Sequence, residues 1–387
     1  MEKRLIDLMF ALVRYEVLTG EALSEEDCAF LLDNLAPLHK LSHAHDIEHI
    51  IASALYKLGV LGDDEVSRKF KKQQMIALYR WESINYELLQ ISEVFESAKI
   101  PFVLLKGAII RSLYPEPWMR TSCDIDILVK EEDLERAVLT LKERLAYTSD
   151  DDRAYHDISL FSANGVHLEL HFSIKENIES IDGLLSKVWD HTVLADETEY
   201  KYCQTNEYLI FHHIAHMSYH FVSGGCGIKP FLDLYLMKMN IKFDSEKVRS
   251  FCSECKLEKF YDRVTELSNV WFECQNHRDI TLKMQSYILQ GGVYGSAKNG
   301  IAINQGKKGG KIKYALSRIF LRPEVLENYY PCIKKHVWLI PFCEVHRWFK
   351  IILRGRFKRS VNELKINNSV SKESATEMTS FLNEMGL

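Results

Sequence analysis

The hydrophobic period of this chain changes twice, and that change limits what it can fold into. Through residues 1–92 apolar side chains recur at three- and four-residue spacing, as in "RLIDLMFALVRY" and "DIEHIIASALYKLG". That spacing lines one face of a helix. "SEEDCAFLLDNL" opens with a serine cap and acids in its first turn, which favour a helix start. "QMIALYRWESINYELLQISEVFESAK" continues as one long amphipathic helix, and Pro101 helps to end it.

From residue 101 the period falls to two. "PFVLLKG" is a short apolar strand stopped by Gly107, "AIIRSLY" fits a turn or two of helix, and "YPEPWMRTS" is a loop with two prolines. "CDIDILV" alternates as a strand, and "EEDLERAVLTLKERLAY" is a helix with an acidic start. "HDISLFSANGVHLELHFSI" reads as a hairpin turning at "ANG". After about residue 200 the helical period returns in "NEYLIFHHIAHMSYHF", "IKPFLDLYLMKM" and "SEKVRSFCSECKLEKFYDRVTELSNVWFECQN", with a break at "SGGCG". The glycine-rich run "GGVYGSAKNGIAINQGKKGGK" is expected to be a mobile loop, and no internal repeat is found. The pattern predicts an α+β protein: a strand-bearing core at 93–200, an N-terminal helical region at 1–92, a helical domain at 201–300 and a tail at 301–387.

Composition excludes several classes. The 387 residues are 47% hydrophobic and 27% charged, which is ordinary for a soluble globular protein. No window of 18 uninterrupted apolar residues predicts a membrane span. The first twenty residues do not read as a signal peptide, because charges follow the short apolar stretch at once. Nine scattered cysteines then read as reduced thiols, and a cytoplasmic location is expected. Charge is uneven. Residues 301–360 hold fourteen Lys/Arg against Glu324, Glu327 and Glu344, or +11, so the remainder is −16 within a net charge of −5. Trp338, Trp348, Phe349 and Phe357 are interleaved with those cations. The tail therefore suits an anionic partner, either RNA or a membrane surface, or else packs on the acidic body of the protein.

Two acids interrupt the apolar strand "CDIDILV". On a strand, Asp124 and Asp126 share a face, with attachment points roughly 7 Å apart. Such carboxylates repel each other unless a cation lies between them. A solvated strand face is the bland alternative, but Glu169 alternates in the same way within "VHLELHF". Hard oxygen ligands select Mg²⁺ or Mn²⁺. The Gly turn "LLKGA" just upstream opens a short helix, where backbone N–H groups suit a phosphate. Arg111 and Arg120 are near enough to add phosphate contacts.

This order of turn, helix, "DID" strand and later acid resembles the DNA polymerase β-like nucleotidyltransferases. "IPFVLLKGAIIRSLYPEPWMRTSCDIDILV" resembles more closely the bacterial uncharacterised nucleotidyltransferases, with their L-K-G…Y-P…R…D-I-D-L-L-V signature. The likeness is specific over residues 98–172 and looser through the flanking helices and "GIKPFLDLYL"; "WLIPF" and "RWF" in the tail also look like bacterial members. The resemblance implies a mixed sheet backed by helices, with a nucleoside triphosphate as substrate and Mg²⁺ as cofactor. It implies that Asp124 and Asp126 bind both metals, that Glu169 binds the catalytic one, and that Gly107 lets the backbone approach the triphosphate. The superfamily often has Gly or Ser after the first Gly. Here Ala108 stands there, so a hydroxyl contact would be missing while backbone donors remain. Lys106 fits the branch, and either neutralises phosphate or covers the strand end. The expected activity is transfer of a nucleoside monophosphate to a hydroxyl acceptor, which could be a small molecule, a protein or RNA. The alternatives are a nucleotide-binding protein without turnover and a tail-led RNA or membrane-surface binder.

Other constellations leave their readings open. His212, His216 and His220 share a helix face and suit zinc, a pocket wall or packing. Cys252, Cys255, Cys274 and His277 have zinc-knuckle spacing inside helix-patterned sequence. His167 and His171 flank Glu169 and face the same way, and Asp233 is a further candidate for the cleft.

Overall fold

The computed structural model describes residues 2–153, 156–293, 295–353 and 357–387. It divides into two compact units, one of residues 1–219 with 226–293, the other of residues 220–225 with 294–387.

The first unit carries a seven-stranded sheet. Its strands are β1 (Phe102–Leu104), β2 (Asp124–Val129), β3 (Thr148–Arg153), β4 (Asp157–Phe161), β5 (His167–His171), β6 (Thr192–Leu194) and β7 (Lys201–Gln204). They lie in the order β3-β4-β5-β2-β1-β7-β6. The pairs β2/β5 and β1/β7 are parallel and the rest antiparallel, so the sheet is mixed, as expected. Strand alternation sorts its two faces. Ile125, Ile127 and Val129 of β2 and Leu168 and Leu170 of β5 are buried in one core. The 33-residue helix Glu65–Ser97 and the helix Leu134–Leu145 cover that face with Ile84, Leu88, Ile91 and Phe95, and with Leu134, Ala137 and Leu141. Burying each of the Ile, Leu and Phe side chains contributes roughly 1.5–3 kcal/mol. The opposite face of the same strands carries the acids.

Sequence reading and structure part in three places. The long helix starts at Glu65, about two and a half turns before the expected segment, because Asp64 caps it by accepting from the Val66 and Ser67 N–H groups. Strands β3, β6 and β7 were not expected. They are edge or near-edge strands; β6 and β7 are short, and β3 reads "TSDDDR", with no apolar alternation to announce it. The expected mobile loop at 291–311 is corrected to a helix, Ala297–Lys308, with Ile301, Ala302 and Ile303 buried; Tyr294 lies outside the described residues. Its glycines serve close packing. A side chain at Gly300 would place its Cβ 2.6 Å from the Ser223 carbonyl oxygen, and one at Gly306 would collide with Thr379.

The second unit is helical, with helices Lys311–Ile319, Pro323–Tyr329, Ile340–Leu353, Phe357–Ser369 and Lys372–Met385 following Ala297–Lys308. Buried Gln305 donates to the Asn367 carbonyl oxygen and side-chain oxygen at 2.9 and 2.7 Å. Among the described residues no helix is long and apolar enough to cross a membrane.

Candidate active site

The parallel pairing of β2 with β5 sets Asp124 beside His167, Asp126 beside Glu169 and Leu128 beside His171. Three acids from two neighbouring strands therefore share one face. Single ligand atoms from Asp124, His167 and Glu169 lie within 4.8 Å of one another, and so do those from Asp126, Glu169 and His171. Glu169 belongs to both groups. His171 Nε2 lies 3.0 Å from Asp126 Oδ1 and 3.6 Å from Glu169 Oε2. His167 Nε2 lies 3.1 Å from Ser159 Oγ, and its ring stacks on Phe161.

The two aspartates titrate in opposite directions. Burial, followed by the charges of Asp126 and Glu169, raises the Asp124 pKa. Burial also works to raise Asp126, but the His171 hydrogen bond, with Lys106 and Arg120 nearby, holds it at about 2. For His171, burial disfavours the charged ring, yet Asp126 and Glu169 hold its pKa up at about 9. His171 thus serves Asp126 and Glu169, and Asp124 bears the remaining repulsion. Each group brings two carboxylates and a histidine together, and carboxylate oxygens in excess of their cations could hold a hard divalent cation.

The turn before β2 differs from its sequence reading in where the strain sits. Lys106, not Gly107, takes the unusual backbone conformation, at φ 33° and ψ −101°, a region that costs an L-residue about 1–3 kcal/mol. The Lys106 ammonium lies 3.0 Å from His216 Nδ1, which is itself 2.6 Å from Glu176 Oε1. The Ala108 N–H donates to the Leu105 carbonyl at 3.1 Å, and Ile110 N–H to that of Lys106 at 2.9 Å, so both are occupied within the turn. A Cβ on Gly107 would meet the Arg120 and Arg111 guanidinium groups at 3.5 and 3.8 Å.

Both arginines are already engaged. Arg111 is buried, donates to the Gly107 carbonyl at 2.8 Å and to Ser122 Oγ at 2.9 Å, and lies over the Trp81 ring. Burial lowers its pKa to about 10. Arg120 donates through Nε to both Asp233 oxygens at 3.0 Å and through Nη2 to Oδ2 at 2.9 Å. Tyr114 donates to the same Asp233 at 2.7 Å. Lys229 pairs with Asp46, Thr121 Oγ1 donates to Asp46 at 3.1 Å, and His49 Nε2 donates to the Met119 carbonyl at 2.8 Å. The proline loop 114–122 is therefore tied down at both ends and in its middle, and it delivers β2 in a fixed position.

With that geometry in place, comparison with known families is decisive. The family model described as "Uncharacterised nucleotidyltransferase" matches residues 34–273, well over half of the chain. The chain belongs to that family. The span contains the whole sheet, the acid face, the tied loop and the helix Lys229–Asn240 that carries Asp233. No curated protein matches the chain. A solution structure of the antibiotic-resistance factor ANT(2'')-Ia is similar at 14% identity, covering 49% of this chain and 97% of that one with a TM-score of 0.34, a likeness too slight to carry a role or substrate across.

Elsewhere in the chain the sequence candidates fall as follows. His212 is buried with Nδ1 3.1 Å from the Gln204 amide nitrogen, and His216 faces Lys106 and Glu176. His212, His216 and His220 do not form a metal-ligating group among the described residues. Neither do Cys252, Cys255, Cys274 and His277. Burial pushes the Cys252 and Cys255 thiols up to about 12 and about 11, which opposes the thiolate a zinc needs. In the tail, Arg318 pairs with Glu363 and Arg347 with Glu344 at 2.7 Å each, whereas Lys334, Lys335 and Lys350 are exposed beside exposed Trp338, Phe342 and Phe349. Arg354 and Arg356 lie outside the described residues, as do the side chains of Phe357 and Arg359. Sequence reasoning missed Glu176, His156 and Asp157. Asp157 was within reach: counting outward from the "ANG" turn pairs Phe161 with His167 and hence Asp157 with His171.

Proposed function

We propose that the chain moves a nucleoside monophosphate from a nucleoside triphosphate to a hydroxyl acceptor and releases pyrophosphate, with residues 93–200 as its catalytic core. The observation that carries this reading is the side-by-side placement of Asp126 and Glu169, with Asp124 two residues away on the same face. Asp124, Asp126 and Glu169 would hold Mg²⁺ or Mn²⁺. When bound, such a cation supplies charge neutralisation at the phosphates and polarises the reacting oxygens. The chain's own contribution is position and field. Asp126, with its pKa near 2, stays ionised at neutral pH as a fixed anionic ligand. Glu169 stands where it can share a ligand with either aspartate. Lys106, in its strained turn, carries an ammonium toward the acid face that suits the triphosphate, and Gly107 and Ala108 shape the backbone beside it. Arg111 and Arg120 serve this reading at one remove: both lend positive potential near Asp124 while holding the loop that positions it.

The test is transfer of label from an α-labelled triphosphate in a lysate. Wild type transfers label only with Mg²⁺ or Mn²⁺, and Asp126→Ala abolishes transfer. Triphosphate binding with no transfer to any pool would instead favour a nucleotide-binding protein without turnover. Salt-sensitive RNA affinity that survives Asp124→Ala would favour the basic tail as the working part.

A further inference from the structure

The two nitrogens of His171 have different surroundings. Nε2 faces Asp126 and Glu169. Nδ1 is buried without a hydrogen-bond partner, in a residue only 8% exposed. A buried ring nitrogen left unpaired is costly, so what stands near it matters. The antiparallel β4/β5 register sets Asp157 directly across from His171. His156 precedes it, held in place by accepting from the Phe172 and Ser173 N–H groups at 3.0 and 3.3 Å. The His156 ring stacks on that of His171 at 5.6 Å between centroids, and its Nε2 lies 3.0 Å from Asp157 Oδ2. His156 Nδ1 is likewise buried without a partner. One ligand atom each from His156, Asp157 and His171 lie within 4.8 Å of one another.

We propose that His156, Asp157 and His171 form a second metal site, selective for zinc or a similar transition cation and separate from the acid trio. The donor sets differ in kind. Two imidazoles and one carboxylate suit Zn²⁺, whereas three carboxylates suit Mg²⁺ or Mn²⁺. His171 is preset for the role, because a metal-binding histidine that donates its other ring nitrogen to a carboxylate is fixed in orientation and made more basic. Here Asp126 is that carboxylate. Metal binding displaces the proton from Nδ1, which leaves to solvent. Three protein ligands leave a four-coordinate zinc one open position for water or a ligand oxygen. His171 would then join the two centres, with one nitrogen on each side. This site needs neither nucleotide nor magnesium and stands whether or not the chain transfers nucleotides.

The experiment is calorimetric titration of the full chain with zinc alone, exposed thiols alkylated, in wild type, His156→Gln and Asp157→Asn. His156 is partly exposed, so its variant is expected to fold as wild type does, and circular dichroism checks this. One zinc per chain is expected, with each variant weakening it at least about tenfold while Mn²⁺ binding to the acid trio stays unchanged. Cobalt in place of zinc is expected to give intense tetrahedral absorption bands that His156→Gln removes. Equal zinc affinity in all three proteins would overturn the proposal, as would zinc that competes one-for-one with Mn²⁺ and is lost only in Asp126→Asn.

Discussion

Two groups of buried and half-buried charge in the first unit are built on opposite plans. Around the proline loop, each acid meets a cation or a hydroxyl: Asp233 takes Arg120 and Tyr114, and Asp46 takes Lys229 and Thr121. On the β2/β5 face Glu169 stands within ligand reach of Asp124 in one group and of Asp126 in the other, with His171 3.0 Å from Asp126. The first group is complete as it stands, and its work is to hold a loop. The second is left with excess negative charge, and like charges held together cost stability until a cation neutralises them. The difference teaches that a charge withdrawn from water does not by itself mark a site; one that is also short of partners does.

The largest expected effect is at Asp233. Asp233→Ala strands a buried guanidinium, and the expected loss of stability is about 3–5 kcal/mol, read as a shift in denaturant midpoint at unchanged slope. Asp124→Asn, on the other plan, removes a repelled charge. Without divalent cations it is expected to leave stability within about 1 kcal/mol of wild type or to raise it, while label transfer is lost. A large destabilisation there would erase the contrast between the two groups. pH probes the tied loop separately. Burial lowers the pKa of His49, which holds the Met119 carbonyl, to about 4. Its folded pKa lies below its unfolded value, so the unfolded chain takes up the proton first. Stability therefore falls as pH drops from about 6.5 to about 4, and His49→Gln should flatten that slope in melting curves recorded across the range. The smallest effect concerns the turn. Lys106→Gly is expected to be more stable than Lys106→Ala by about 1 kcal/mol, since only glycine accepts the positive φ freely. The reverse order would mean that the turn relaxes without cost.

Much of this was legible from residue order alone. The "DID" strand, the helix before it and the hairpin carrying Glu169 all announced themselves by period. The shared face followed from i, i+2 spacing, because strand geometry leaves no other choice. What stayed hidden depends on contacts distant in sequence. Nothing near Arg120 points to Asp233, 113 residues on, so a phosphate contact and a loop anchor look alike in sequence. Glycine at 107 suggested the flexible point, but the backbone places its positive φ one residue earlier. The glycines at 300 and 306 looked like loop residues because close helix packing and chain mobility call for the same absent side chain. The polar edge strand β3 offered no hydrophobic pattern to read.

The most direct test of the acid trio is Mn²⁺ binding followed by electron paramagnetic resonance, in wild type and Glu169→Gln without nucleotide. Glu169 is the carboxylate common to both ligand groups. The account predicts that wild type binds Mn²⁺ and that the variant, folded as before, binds it more than about tenfold more weakly, a difference above 1.4 kcal/mol. Equal binding by the two proteins would contradict it.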